Sequence, residues 1–121
     1  MKKILSAILV MCMCFGLLAG CGGKPEDVSQ DVYDLGVETC DVLDDYIQGK
    51  MKQNTCEEKL EEIADRARVL EEDDSKTFSD GIIRTYICLS PSDVSYLYFA
   101  EGETYEAENT LEKLKEELNL K

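Results

Sequence analysis

Between residues 28 and 70 of this 121-residue chain, mostly apolar positions recur at alternating gaps of four and three residues. This spacing places side chains on one face of an α-helix, whereas the faces of a strand alternate at every residue. The first series is Val28, Val32, Leu35, Thr39, Val42 and Tyr46, and the second is Cys56, Leu60, Ile63, Ala67 and Leu70. Because only a short loop separates the two predicted helices, we expect them to run antiparallel as an αα-hairpin.

Local residues indicate where these two helices begin. Pro25 suits the first turn of a helix, and Glu26 and Asp27 then lie near the positive end of the helix dipole. Thr55 followed by Glu58 has the pattern of a capping box. The sequence therefore predicts that the first helix begins near Pro25 and the second near Thr55.

Residues 77–100 are compatible with two structures. Thr77 and Asp80 can cap a helix that is kinked at Pro91, and its apolar residues would be Phe78, Ile82, Ile83, Tyr86 and Leu89. The alternative is an α+β fold with a β-hairpin at about 82–100, because two β-favouring runs flank the turn-like sequence Ser-Pro-Ser-Asp. We expect the helix, because an isolated hairpin is marginally stable and the flanking segments are helical.

The final segment predicts an amphipathic helix over about 104–119. Its apolar face carries Ala107, Leu111, Leu114 and Leu118. The expected fold class is therefore all-α: a small antiparallel helical bundle made of an αα-hairpin plus two further helical segments. About 100 residues suffice for one core, so we expect residues 26–121 to form a single helical domain.

The first twenty-one residues are organised as a signal sequence. Lys2 and Lys3 precede an apolar run, Ile4 to Gly20, which is short for a membrane span. The run closes with Leu18-Ala19-Gly20-Cys21. An ordinary secretory signal or an uncleaved anchor helix would explain the charge and the apolar run, but neither calls for a cysteine at this place.

This ending resembles the lipobox of bacterial lipoproteins. The resemblance implies that Leu18, Ala19 and Gly20 are recognised by a dedicated signal peptidase, that residues 1–20 are removed, and that Cys21 carries a diacylglycerol. It further implies a protein anchored to the extracytoplasmic face of the cell membrane through a short linker, residues 21–25. It covers only these N-terminal residues and suggests no activity for the rest of the chain.

The charge of the chain excludes one class of partner. The full sequence has 13 basic and 26 acidic residues, for a formal charge of −13. Removal of residues 1–20 takes away two lysines and no acid, which leaves 11 − 26 = −15. Such a surface repels nucleic acid, so we expect no nucleic-acid binding. It attracts basic proteins and cations, or it serves only to keep the domain soluble.

Three cysteines follow the lipobox, namely Cys40, Cys56 and Cys88. Outside the cytoplasm they can form one disulfide and one free thiol, or remain three buried thiols. Counting helical rise from the loops brings Cys40 and Cys88 to the most similar height, so this pair is the predicted disulfide if one forms. The chain has no histidine, which excludes a Cys-His nucleophile.

The sequence has no catalytic signature. A serine elbow, a P-loop and a dinucleotide-binding glycine pattern are all absent, and the carboxylates fall on polar helix faces. The run Glu71 to Asp74 lacks the ligand spacing and central glycine of a calcium loop. We therefore expect no enzyme, no metal site and no cofactor other than the lipid on Cys21.

One aromatic cluster is the candidate binding surface. The cluster comprises Tyr86, Tyr96, Tyr98, Phe99 and Tyr105, and the last four are the predicted interface residues. Residues 94–100 are apolar nearly all round, so they either lie at the centre of the bundle or form an exposed patch. The functional hypothesis is a membrane-anchored interaction module for another envelope protein, and the alternative is a lipoprotein that binds a small ligand or a cation on its acidic helix faces.

Overall fold

The structure is a computed structural model that describes residues 23–73, 75–100 and 102–120; residues 1–22, with the lipobox and Cys21, lie outside it. The helices are α1 (Gln30–Ile47), α2 (Gln53–Val69, extended by a 3₁₀ turn at Leu70–Glu72), α3 (Phe78–Asp93) and α4 (Tyr105–Glu117). The described residues contain no strand. The all-α prediction is confirmed, and the alternative hairpin at 82–100 is wrong.

The four helices alternate in direction. Ser29, just before α1, donates hydrogen bonds to Asp80 in the first turn of α3, so these two helices start at the same end. The Tyr46 hydroxyl, near the end of α1, donates to the carbonyl oxygen of Glu103, just before α4. We call the end with Gly23 and the starts of α1 and α3 the proximal end. The other end, with the α1–α2 loop and residues 94–104, is the distal end.

The core follows the sequence pattern closely in three helices. The residues predicted to face inward from α1 and α4 are all buried, and so are those of α2 apart from Leu70, which is half-buried. α1 and α3 contact each other at the centre, with α2 and α4 flanking the pair. Gly36 on α1 allows Leu118, at the end of α4, to pack directly against the α1 backbone.

Two helices end in the same hydrogen-bonded motif. After α1, Gly49 has a φ of +77° and donates to the Tyr46 carbonyl, while the Lys50 amide donates to Asp45. After α4, Asn119 adopts a φ of +59° and an equivalent pair of hydrogen bonds forms. Both are Schellman motifs, which satisfy carbonyl groups that the helix leaves unpaired.

Two predicted helix starts are wrong by a few residues. Pro25 opens a turn, with the Val28 amide donating to its carbonyl at 3.2 Å, and α1 begins only after Ser29. α2 begins at Gln53 rather than at Thr55, which therefore lies inside the helix. The Asn54 side chain accepts the Thr55 amide hydrogen at 2.9 Å, so the Thr55 capping box does not form.

The start of α3 confirms its predicted capping box, but its buried face is not the predicted one. Thr77 and Asp80 exchange the two capping hydrogen bonds. Inward-facing residues are Asp80, Ile83, Ile87, Ser90, Pro91 and Val94. By contrast Phe78 and Leu89, predicted to be apolar core, are exposed. The helix continues through Pro91 and ends at Asp93, so residues 94–100 form turns rather than a continuation of the helix.

Candidate functional site

The candidate site begins with a compact turn directly after α3. The carbonyl oxygen of Ser95 accepts the amide hydrogens of both Tyr98 and Phe99, at 3.1 and 2.9 Å. The Ser95 hydroxyl accepts the Leu97 amide hydrogen at 3.2 Å. Ser95 itself is buried. Three backbone donors are thus satisfied by one residue, which holds the turn in a defined shape.

The turn is attached to the bundle by a buried glutamine. The side-chain amide of Gln53, the first residue of α2, donates to the carbonyl oxygens of Val94 at 2.8 Å and Phe99 at 3.1 Å. Val94 is fully buried, and the Phe99 ring packs edge-on against Tyr105 with centroids 5.4 Å apart. Sequence reasoning missed Gln53, because a polar residue beside a loop gives no sign that it will be buried.

Four side chains project from this framework into solvent. Leu97 is 86% exposed and Tyr98 is 71% exposed, and more than half of Tyr96 and Tyr105 is exposed as well. We call these four residues the distal tip. The predicted interface residues Tyr96, Tyr98 and Tyr105 therefore lie at the surface, while Phe99 is half-buried beneath them. Leu97 also lies at this surface, although it was not among the predicted interface residues. The sequence signal for it was the run 94–100, which is apolar except for Ser95.

A partly buried carboxyl group lies just below the distal tip. The Thr110 hydroxyl of α4 donates to Asp93, the last residue of α3, at 2.5 Å. Burial raises the pKa of the Asp93 carboxyl, and the negative charge of Glu106 raises it further, against the hydrogen bond from Thr110. This contact joins α3 to α4.

The three cysteines are free thiols that lie in different parts of the core, and the predicted Cys40–Cys88 disulfide is not formed. The positive charge of Lys115 in α4 acts on the Cys40 thiol, so Cys40 lies on the side of α1 that is near α4. Cys88 instead contacts the Ala64 carbonyl of α2, with its Sγ at 3.9 Å. The two side chains therefore face different neighbouring helices, and their similar height does not bring them together.

Burial lowers the reactivity of these thiols. It raises the pKa of both Cys40 and Cys56 to about 12. Burial also raises the pKa of Cys88, although Arg68 and Arg84 oppose the rise. Since the thiolate is the nucleophile, none of the three thiols is activated for chemistry at neutral pH.

The acidic helix faces do not converge on a point. The outer face of α2 presents Glu57, Glu58, Glu61, Glu62 and Asp65 along a shallow, open groove. Within the part of the chain that the structure describes, no group of three or more acidic or cysteine side chains is arranged to hold a metal ion. Spread carboxylates of this kind form a solvated face.

Comparison with known proteins adds no relative: no protein-family model matches the chain, and neither a curated protein nor a solved structure is similar to it. Among residues 23–73, 75–100 and 102–120, no helix has the length and apolar character that crossing a membrane requires.

Proposed function

We propose that this chain is a lipid-anchored lipoprotein of the extracytoplasmic membrane face, and that its distal tip binds another protein of the cell envelope. The lipobox residues Leu18 to Cys21 support the anchor. One observation carries the binding role: the most exposed apolar side chains of the turn, Leu97 and Tyr98, lie at the end opposite Gly23, from which the chain leads back to Cys21.

The distal tip has the physical properties of a binding surface. Burying a side chain such as Leu97 against a partner stabilises a complex by roughly 1.5–3 kcal/mol. Tyrosines contribute large contact areas with few rotatable bonds and are frequent at interface hot spots. Because Ser95 and Gln53 already fix the turn, little further ordering is needed when a partner binds.

Charge narrows the chemistry of the partner. The mature chain has a formal charge of −15 by the count above, and the α2 face below the tip is lined by glutamates. A partner with an apolar pocket surrounded by basic side chains would be attracted over a distance of about a Debye length, roughly 8–10 Å at ordinary salt. An acidic partner would be repelled.

Position-specific crosslinking in intact cells tests the binding role. A photo-crosslinking amino acid replaces Tyr98 in the distal tip or, as a matched control, Glu61 on the exposed face of α2. We expect one dominant adduct from position 98 and none of that size from position 61. Adding Leu97→Ser to the position-98 variant should remove the adduct. Equal adducts from both positions, or an adduct that survives Leu97→Ser, would refute a role for the tip.

The anchor is tested independently by metabolic labelling. Cells that express the full chain are grown with a labelled fatty acid, and the label should be recovered on the wild-type protein but not on Cys21→Ala. The wild-type protein should also fractionate with membranes. A released, unlabelled wild-type protein would show that residues 1–21 act as an ordinary secretory signal.

A further inference from the structure

Two large apolar side chains are exposed at the proximal end, far from the distal tip. Phe78, the first residue of α3, is 85% exposed, and Val69, the last residue of α2, is 77% exposed. Neither side chain packs in the core. A single exposed apolar residue needs no explanation, but these two lie on either side of the same short α2–α3 connection.

This connection lies beside the N-terminal segment of the domain. The Thr77 hydroxyl donates to the Asp27 carbonyl oxygen at 2.5 Å, and the Ser79 hydroxyl donates to the Asp27 carboxylate. At the same end, the Asn119 side chain donates to the Gly23 carbonyl oxygen at 3.4 Å. Phe78 therefore lies at the end of the bundle from which the chain runs to Cys21.

The covalent distance from the domain to the lipid-bearing cysteine is small. Cys21 is two residues before Gly23. Two residues extend at most about 7 Å, so acyl chains on Cys21 would hold the proximal end within reach of the lipid headgroups. An exposed phenylalanine at this end would then lie within reach of the apolar acyl chains beneath the headgroups.

We propose that Phe78 and Val69 contact the lipid surface and hold the bundle upright on the membrane, an inference that rests on the proposed lipid anchor. α1 has 18 residues and leads away from the proximal end. At 1.5 Å per residue it spans roughly 27 Å, which raises the distal tip well clear of the headgroups. The membrane contact thus presents Tyr98 and its neighbours to a partner.

Charge at the proximal end selects the type of lipid. Glu71, Glu72 and Asp73 are exposed beside Val69. Lys76 offsets only part of this charge, because its one ammonium group is shared between Asp31 at 2.7 Å and Asp73 at 3.5 Å. Anionic headgroups would repel this end, so the lipid surface that it fits is zwitterionic.

The chain contains no tryptophan, so a single introduced tryptophan can report its own surroundings. The acylated full-length mature protein is placed in phosphatidylcholine vesicles whose acyl chains carry bromine, a contact quencher. Phe78→Trp should lose most of its emission and shift to the blue. Tyr98→Trp, the matched control at the distal tip, should keep its emission. Val69→Trp provides a second reporter at the proximal end.

Three results would overturn the inference. The first is vesicle-bound protein in which neither Phe78→Trp nor Val69→Trp is quenched. The second is equal quenching of Tyr98→Trp, which would mean that the bundle lies flat. The third is a blue shift without quenching that grows with protein density, which would assign the surface to contact between copies of the chain.

Flotation of the vesicles separates this inference from the proposed function. Protein that floats with the vesicles and carries its acyl chains, but shows no quenching at position 78 or at position 69, retains the anchor and refutes only the membrane contact. If the protein purified from cell membranes carries no acyl group, both the anchor and the contact fail. Replacing part of the zwitterionic lipid with anionic lipid at low salt should weaken the quenching of Phe78→Trp, and added salt should restore it.

Discussion

At the scale of single residues, Gly36 is the position where the packing is tightest. An added Cβ would lie 2.8 Å from Leu118 Cδ1, 2.9 Å from Leu118 Cδ2 and 3.4 Å from Ile83 Cγ2. Leu118 and Ile83 are both fully buried, so neither can move aside into solvent. We expect Gly36→Ala to lower the free energy of unfolding by about 1–3 kcal/mol, as overpacked cores do, in a urea titration.

Gly81 on α3 is the matched control. A Cβ there would meet only the Arg84 guanidinium, at 3.8 Å. Gly81→Ala should therefore raise stability by about 0.4–1 kcal/mol, because alanine loses less backbone entropy on folding. If the two alanine variants were equally stabilised, Leu118 would not pack against α1 as described.

The thiols provide a second prediction at this scale. Cys88 is partly exposed, while Cys40 and Cys56 are buried and have a pKa of about 12. In the native protein at pH 8, we expect Cys88 to react first with a thiol reagent and the other two to react only after unfolding. Peptide mass mapping of the alkylated protein assigns the sites. A Cys40–Cys88 disulfide would instead leave both of these cysteines unmodified until a reductant is added.

At the scale of helices, the sequence pattern predicts α1, α2 and α4 well and α3 poorly. Helices α1, α2 and α4 bury regular apolar series, such as Ala107, Leu111, Leu114 and Leu118 in the α4 segment, and a 3.6-residue period is easy to recognise in them. α3 instead buries Asp80 and Ser90, whose polar groups bond to neighbouring backbone or side chains. Hydrophobic periodicity does not register such residues, so it favours the wrong face.

The distal tip shows a related limit. Residues 94–100 are apolar except for Ser95, so their sequence does not distinguish a central segment from an exposed one. The difference depends on Gln53, which is distant in sequence and bonds to Val94 and Phe99. Three of the four aromatic residues in the predicted interface nevertheless lie at the surface. The aromatic composition was therefore enough to predict most of this surface, although it did not predict how the segment is folded.

Pro91 leads to a prediction at the scale of α3. Proline has no amide hydrogen, so it leaves the Ile87 carbonyl without its helical donor. The Ser90 hydroxyl donates to this carbonyl at 2.6 Å and replaces the missing hydrogen bond in a buried place. Ser90→Ala should therefore lower the free energy of unfolding by about 1–3 kcal/mol, the cost of a buried unpaired acceptor.

Two further variants separate this effect from a general loss of a hydroxyl group. Thr85 donates to the Gly81 carbonyl at 2.8 Å on an exposed part of the same helix, so Thr85→Ala should change stability by less than about 0.5 kcal/mol. Pro91→Ala restores an amide donor for Ile87. If adding Pro91→Ala to Ser90→Ala recovers none of the lost stability, the hydroxyl does not serve as the substitute donor.

At the scale of the whole molecule, carboxylates with opposite pKa shifts determine how stability depends on pH. Burial raises the pKa of Asp93, and burial together with nearby acidic residues raises that of Asp41, from an ordinary value of 3.8. Burial also acts to raise the pKa of Asp80, but hydrogen bonds from Ser29 and Thr77 outweigh it, and the net shift is downward. Folding therefore favours the protonated form of two of these groups and the charged form of the third.

These directions predict a stability maximum on the acidic side of neutrality. The contribution of Asp93 and Asp41 is fully present below pH 3.8 and is lost as the pH rises through their raised values, so stability increases when the pH is lowered from 7. The excess negative charge of the chain acts in the same direction, because protonation reduces repulsion. The contribution of Asp80 is present above pH 3.8 and is lost as the pH falls through its lowered value, so stability decreases again in stronger acid.

Chemical unfolding at a series of pH values measures how stability depends on pH. The variant Asp80→Asn tests whether Asp80 causes the loss of stability in strong acid. The substitution removes the charged acceptor that joins the starts of α1 and α3, so it should cost about 1–3 kcal/mol at pH 7. Its effect should shrink below pH 3.8 and disappear as the pH falls through the lowered pKa of Asp80, where the folded wild-type carboxyl becomes protonated as well. A penalty that stays the same from pH 7 into strong acid would mean that the charge of Asp80 does not contribute to holding α1 and α3 together. A wild-type maximum at or above neutral pH would contradict the raised pKa values of Asp93 and Asp41.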